Sequence, residues 1–97
     1  MKRVSFHELA ERELNDAALY YELESAGLGI KFLDDVEQCV DAIIKNPKAG
    51  KRILGPVHRR LLRTFPYGIL YSINDSGIRV LAIMNLKRRP MYWVGRS

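Results

Sequence analysis

The spacing of the apolar residues changes once along the chain, at Asn46-Pro47, and this change limits the folds that the chain can adopt. Before this point, apolar residues recur every three or four positions, which is the period of an amphipathic helix. After it, they alternate with polar residues, which is the period of a strand. The residue before a proline avoids the helical region, so we expect a helix to end there. A helical half is therefore followed by a half built of strands.

The helical half is predicted to contain a short strand and two helices. The strand ends near residue 5, where the capping box Ser5–Glu8 begins the first helix with its serine as the cap. That helix ends near Ser25, because Gly27–Gly29 is a tight turn. The second helix runs to the proline, with Asp35 among the acids on its solvent-facing side. Helices joined by so short a turn form an antiparallel hairpin.

The second half is predicted to form an antiparallel meander. Asn74–Gly77 has strong hairpin-turn chemistry. Ile78–Met84 is apolar at nearly every position, which is typical of a central strand. The other predicted segments are a loop with a short edge strand at Lys48–Pro56, strands at Val57–Phe65 and Tyr67–Ile73, and a last short strand at Met91–Val94.

The predicted fold class is α+β, with an N-terminal strand and an antiparallel helical hairpin packed on an antiparallel β-meander. A chain of 97 residues has the size of one domain, so residues 1–97 are predicted to form a single one. The hairpin covers one face of the meander. The other face is expected to be exposed or to bind a partner.

The two halves carry opposite charges. Residues 1–46 hold five Lys/Arg and ten Asp/Glu, a net charge of −5. Residues 47–97 hold eleven Lys/Arg and one acid, Asp75, a net charge of +10. An acidic hairpin is thus joined to a basic sheet, and the sheet suits an acidic partner.

Several classes of protein are excluded by the sequence. Its longest apolar run, Val80–Met84, is far too short to cross a bilayer, so no membrane partner is expected. No signal-peptide core follows Met1–Arg3, which predicts a cytoplasmic protein. Cys39 is the only cysteine, which excludes an internal disulfide and a cysteine-based zinc site. No motif for a cofactor or a metal is present, and none is expected.

The basic residues of the second half occur in three groups with aromatic residues between them. The middle group is predicted to lie on a strand, where Arg59 and Arg63 share a face and Arg60 points the other way. This composition fits a surface for single-stranded RNA, a surface for an acidic protein, or a solvated face. The groups are Lys48/Lys51/Arg52, Arg59/Arg60/Arg63, and Lys87/Arg88/Arg89 with Arg96.

His58 and Cys39 are candidates for chemistry that also have simpler interpretations. His58 can act as an acid or base near neutral pH, but no partner lies near it in sequence, and a strand histidine is the favoured interpretation. Cys39 lies on the second helix and is predicted to be a small buried hydrophobe.

Blocks spread over nearly the whole chain resemble one known family. The second half contains Arg60–Tyr71, with Phe-Pro-Tyr at its centre, followed by Arg88–Trp93 and Arg96. The first half contains Ala17–Tyr21 and the Gly27–Gly29 turn in the family's order. Together these blocks resemble the RelE/ParE superfamily of toxins from bacterial type II toxin–antitoxin systems, and more closely its ParE-like members.

The resemblance implies a small α+β toxin of element order β-α-α-β-β-β, which a cognate antitoxin neutralises. ParE-like members poison DNA gyrase, whereas RelE-like members are ribosome-dependent, metal-independent mRNA endonucleases. A third alternative is a degenerate, non-toxic member that acts as a binding module. The shared fold does not decide between these functions.

Differences from the nuclease pattern favour gyrase over the ribosome and mRNA as the target. Gly68 stands where RelE-like nucleases have an arginine, and Asn85 where many members with the Phe-Pro-Tyr block have a histidine. Tyr92 lies slightly before the place of the C-terminal catalytic tyrosine. Whether the chain is an enzyme is left open. If it is a nuclease, its candidate catalytic residues are Arg60, Arg63, Arg88 and Tyr92. The predicted target-binding residues are Arg59, Arg60, Arg63, Lys87, Arg88, Arg89, Trp93 and Arg96.

Overall fold

Residues 3–97 are described by a computed structural model, in which five strands form one sheet and two helices pack on it. Lys2, in the basic N-terminus, lies outside the described residues. The elements are β1 (Arg3–Phe6), α1 (Glu8–Glu24), α2 (Leu28–Lys45), a single 3-10 turn (Pro47–Ala49), β2 (Lys51–Leu54), β3 (Val57–Leu61), β4 (Tyr67–Asn74) and β5 (Gly77–Asn85).

The sheet has the strand order β1-β5-β4-β3-β2. Strand β1 runs parallel to β5, and the other four strands form the antiparallel meander. The predicted fold class and the central position of β5 are thus confirmed. The edge strand expected within Lys48–Pro56 is β2. The strand expected at Met91–Val94 is wrong, because Met91 has a φ of 66°, a left-handed conformation that interrupts an extended chain, and the segment forms turns.

The cap of α1 differs from the prediction. Ser5 lies in β1, and His7 is the cap residue, with its Nδ1 accepting a hydrogen bond from the Leu9 N–H at 3.0 Å. Strand β1 extends one residue further than expected, which moves the start of the helix past the serine. The predicted end of α1 is confirmed, since Ser25 is its C-terminal cap residue.

The turn between the helices is held by one side chain. Glu22 accepts hydrogen bonds from the backbone N–H groups of Gly27 and Gly29 at 2.9–3.1 Å. A Cβ on Gly29 would lie 2.6 Å from the Ala18 carbonyl oxygen, so only glycine allows α2 to approach α1 this closely. The predicted antiparallel hairpin is therefore fixed by packing as well as by the short turn.

The face of the sheet beneath the helices, called the helix face, contains the larger of two apolar cores. Phe32, Val36 and Ile43 of α2 pack there against strand residues that include Ile69 and Val80, all of them buried. Four aromatic rings meet at one end of this core, with centroids 4.7 to 6.1 Å apart; they belong to Tyr21, Phe32, Phe65 and Tyr67.

The opposite face, called the second face, was expected to be exposed or to bind a partner, but it is partly covered by the chain itself. Trp93 is only 4% exposed and packs against Val57, Leu70, Leu81 and Ala82. The chain after β5 folds back to bring it there, and we call residues 91–97 the C-terminal segment. A register shift in the β4–β5 pairing allows consecutive residues of β5 to face the same core.

Candidate target-binding surface

A buried carboxylate on α2 shapes the loop after β3. Asp35 is 7% exposed, and its oxygens accept hydrogen bonds from the backbone N–H groups of Arg63, Thr64 and Phe65 at 3.2, 2.8 and 3.1 Å. The prediction that Asp35 lies on the solvent-facing side of its helix is therefore wrong. Its spacing from the buried Phe32, three positions before it, was the signal for an inward-facing side chain.

The middle basic group is divided by the end of β3. Since the strand stops at Leu61, the alternation of sides does not extend to Arg63, and the prediction that Arg59 and Arg63 share a face is wrong. Arg60 and Arg63 instead line one cavity of about 360 Å³ beside α2. Arg59 lies across the second face, where a Cβ on Gly68 would sit 3.4 Å from its Cγ and Cδ.

Cys39 lines the same cavity, and its thiol has low reactivity. Its thiol is buried, with Sγ 3.9 Å from the Arg60 carbonyl oxygen and 3.8 Å from that of Leu61. Desolvation by burial raises the pKa of the Cys39 thiol to about 11, so the thiol stays protonated at neutral pH. The predicted role as a small buried hydrophobe is confirmed.

His58 packs within the sheet. Its ring stacks on that of Tyr71, its register partner on β4, with centroids 5.6 Å apart. Its Nδ1 lies 3.3 Å from the Pro56 carbonyl oxygen. The interpretation as a partly exposed strand histidine is confirmed.

An ion pair binds the C-terminal segment to α1. Arg96 donates from Nη1 and Nη2 to the two carboxylate oxygens of Glu13 at 2.9 and 3.2 Å, and both side chains are nearly buried. Arg96 also donates to the Leu81 carbonyl oxygen, and Glu13 accepts from the Ile83 N–H. Strand β1 pairs with β5 only as far as Val80, which leaves the backbone groups of β5 beyond it without a strand partner. The Arg96–Glu13 ion pair bonds to two of these groups, the Leu81 carbonyl oxygen and the Ile83 N–H.

Tyr92 is enclosed by charged groups. The guanidinium carbons of Arg88 and Arg96 lie 4.0 and 5.1 Å from the centre of its ring. Its hydroxyl is buried and has no hydrogen-bond partner within residues 3–97. Burial, and then the nearby carboxylate of Glu13, raise the pKa of Tyr92 well above its usual value. The hydroxyl therefore keeps its proton at neutral pH.

The third basic group lies in the exposed loop after β5. Asn85 starts this loop by accepting a hydrogen bond from the Lys87 N–H at 2.9 Å on its side-chain oxygen. The side chains of Lys87, Arg88 and Arg89 are exposed. A groove of about 250 Å³ runs beside this loop between α1 and β5, with Asn85 and Arg88 among the residues that line it.

Comparison with known protein families identifies the family of the chain. A family profile described as "ParE toxin of type II toxin-antitoxin system, parDE" matches residues 4–90. The chain belongs to the ParE toxin family. The resemblance noted from the sequence is thereby confirmed, and the chain is a ParE-type toxin of a type II toxin–antitoxin system.

Comparison with solved structures agrees on the fold. A chain from the "Chromosomal ParDE TA system from P. aeruginosa" superposes with a TM-score of 0.78 at 15% sequence identity, over 90% of this ParE family member and 98% of that chain. Comparison with curated proteins finds no match. The superposition shows a shared architecture. Because the identity is only 15%, the chemistry of the surface is argued from this chain's own residues.

The four candidate nuclease residues of this ParE family member do not form one site. Arg60 and Arg63 lie beside α2, whereas Tyr92 belongs to the C-terminal segment and Arg88 lies over its ring. Within residues 3–97, no group of three or more His, Cys, Asp and Glu side chains is arranged to hold a metal ion. No helix among those residues is long and apolar enough to cross a membrane.

The predicted target-binding residues differ in how accessible their side chains are to a partner. Trp93 is buried and Arg96 forms an ion pair with Glu13, so neither side chain is free to contact a partner. Arg59 and Arg60 are partly exposed. The exposed members are Arg63, Lys87, Arg88 and Arg89. Two residues that organise these cations were not predicted from the sequence: Asp35 holds the loop that contains Arg63, and Glu13 holds Arg96.

Proposed function

We propose that this ParE family toxin acts by binding and poisoning DNA gyrase, not by cleaving mRNA. The observation that carries the proposal is the separation of the candidate nuclease residues into two places. RNA cleavage without a metal requires a base, an acid and a cation around one phosphate. Arg60 and Arg63 lie beside α2, away from Tyr92, and the Tyr92 hydroxyl is buried and keeps its proton. This arrangement supports a toxin that acts by binding.

The exposed loop after β5 is the proposed contact with gyrase. Its cations project from the end of the central strand, and their positions are fixed at the start of the loop by Asn85. Exposed arginine and lysine side chains on a rigid support steer encounter with an acidic protein surface and add contacts once the two proteins are bound.

Poisoning of gyrase predicts a specific result with purified components. Toxin added to gyrase, ATP and relaxed plasmid is expected to stop supercoiling and to accumulate cleaved DNA. The double variant Lys87→Gln/Arg89→Gln is expected to need about tenfold more toxin for the same effect, since it removes two exposed cations. The matched double variant Lys31→Gln/Lys45→Gln, on the helices, is expected to act as the wild type does. Full supercoiling at a large molar excess of wild-type toxin would refute the proposal.

We also propose that a cognate antitoxin neutralises the toxin through the basic half of the chain. Exposed apolar side chains lie beside the cations there, including Leu54 and Leu61, each about half exposed at 50% and 51%. A segment that combines acidic and apolar residues fits such a surface.

This proposal predicts co-purification with the product of a neighbouring reading frame that encodes a short acidic protein. The complex is expected to weaken as salt rises, because opposite charges attract across the interface. Substituting Leu61→Ala is expected to reduce retention, whereas Leu23→Ala, at an exposed site on α1, is not. If the tagged toxin elutes without the acidic product at low salt, the antitoxin proposal fails and the gyrase proposal stands.

A further inference from the structure

The two sides of the molecule carry opposite charges in three dimensions as well as in sequence. All ten acids of the first half lie on α1 and α2, which cover the helix face, together with only three basic residues. The rest of the described chain beyond α2 holds eleven basic residues and one acid. The toxin therefore has a strong dipole, which orients it with the helices away from any polyanion.

Three cations lie on the second face beside its covered part, and we call them the basic face: Lys51, Arg59 and Arg79. Lys51 is the register partner of Arg59, so both lie on the same side of the sheet. Arg79 lies between two residues of the helix-face core, which places it on the second face, where its Nε donates to the Ser97 carbonyl oxygen at 3.4 Å. Within residues 3–97, none of the three forms an ion pair with an Asp or Glu side chain.

The basic face offers charge without exposed aromatic rings. Trp93 is buried, and the ring of Tyr92 is occupied by Arg88 and Arg96. Tyr67 and Tyr71 are buried on the helix face. The exposed Tyr20 lies on α1, on the acidic side. Binding of a single strand relies on rings that stack with unpaired bases, whereas contact with a duplex backbone needs only cations.

We propose that the basic face binds the phosphate backbone of duplex DNA directly. Three cations without an Asp or Glu partner lie on one side of the sheet, where they can contact the phosphates of one duplex, and the acidic helices disfavour binding from the other side. The proposed contact requires only the toxin and DNA. That the DNA bound in the cell is the segment held by gyrase rests on the proposed function.

The test is a fluorescence anisotropy titration of wild-type toxin against a labelled duplex of about 25 base pairs over a range of salt concentrations. Each phosphate contact contributes a slope of about 0.9 to the fall of log K with log salt, so three contacts predict a slope of about 2.7. The triple variant Lys51→Gln/Arg59→Gln/Arg79→Gln is expected to bind at least tenfold more weakly at low salt and to reduce the slope to below about 1.

Two further variants separate this site from net charge and from folding. The triple variant Arg12→Gln/Lys31→Gln/Lys45→Gln removes the same charge from the helices and is expected to bind duplex within about twofold of wild type. The triple variant Lys51→Arg/Arg59→Lys/Arg79→Lys keeps the charge of the basic face and is expected to bind like wild type. If the two glutamine triples weaken binding equally, the attraction is general and the proposal is wrong.

Other results also overturn the proposal. Tighter binding of a single strand of equal length would show that stacking, not the duplex backbone, is recognised. Binding of an acidic peptide without binding of duplex would make the surface a protein-docking site. Failure of this inference is distinct from failure of the proposed function: a toxin that poisons gyrase without binding free duplex refutes only the inference, and one that binds duplex without affecting gyrase refutes only the proposed function.

Discussion

Replacing Asp35 with alanine is expected to lower the free energy of unfolding by about 3 kcal/mol. The substitution leaves the backbone N–H groups of Arg63, Thr64 and Phe65 without their acceptor. Each orphaned N–H group in a partly buried loop costs about 1 kcal/mol or more. We expect the loop to move away from α2 and the Arg60–Arg63 cavity to lose its shape.

Urea denaturation followed by circular dichroism measures this effect. Asp34→Ala is the matched control, because Asp34 is the exposed neighbour on the same helix and is expected to change stability by less than about 0.5 kcal/mol. Asp35→Asn keeps one carbonyl acceptor and is expected to fall between the two. Equal stability of the Asp34 and Asp35 variants would show that the carboxylate does not hold the loop.

Replacing Glu13 with alanine is expected to lower the free energy of unfolding by about 3 kcal/mol and to release the C-terminal segment. The substitution leaves the nearly buried guanidinium of Arg96 without its carboxylate, and the Ile83 N–H without an acceptor. Because Arg96 anchors the segment that carries Trp93, loss of the pair is expected to expose the indole ring.

The single tryptophan of the chain reports this release directly. A red shift of Trp93 emission and faster quenching by acrylamide are expected for Glu13→Ala, and neither for Glu11→Ala, at an exposed position on the same helix. A double-mutant cycle with Arg96→Met separates the ion pair from other contacts of Glu13. Unchanged Trp93 emission in the Glu13 variant would show that the segment is held by its apolar contacts alone.

Local sequence patterns predicted the main elements of the fold for physical reasons. The helix period, the proline after Asn46 and the turn Asn74–Gly77 act over a few residues, and each of them specified its structure correctly. The prediction failed where two local signals competed. Ser5 is a good helix cap, but pairing of β1 with β5 keeps it in a strand. Met91–Val94 has strand-like residues, but the segment forms turns that pack Tyr92 and Trp93 against the second face.

The candidate site was less predictable because its contacts join distant parts of the chain. Asp35 and Arg63 are 28 residues apart, and Glu13 and Arg96 are 83 residues apart. A carboxylate on a helix has the same local pattern whether it faces solvent or a distant loop. The sequence located the basic half of the chain correctly. It did not reveal that β3 ends before Arg63, which is what separates Arg63 from Arg59.

The most direct test of gyrase poisoning is a paired assay of the same purified toxin on two targets. One reaction contains gyrase, ATP and plasmid, and the other contains ribosomes translating a defined message, read by primer extension. We expect cleaved plasmid held by gyrase in the first reaction and an intact message in the second. Cuts in the message at the ribosomal A site, with gyrase fully active, would contradict it.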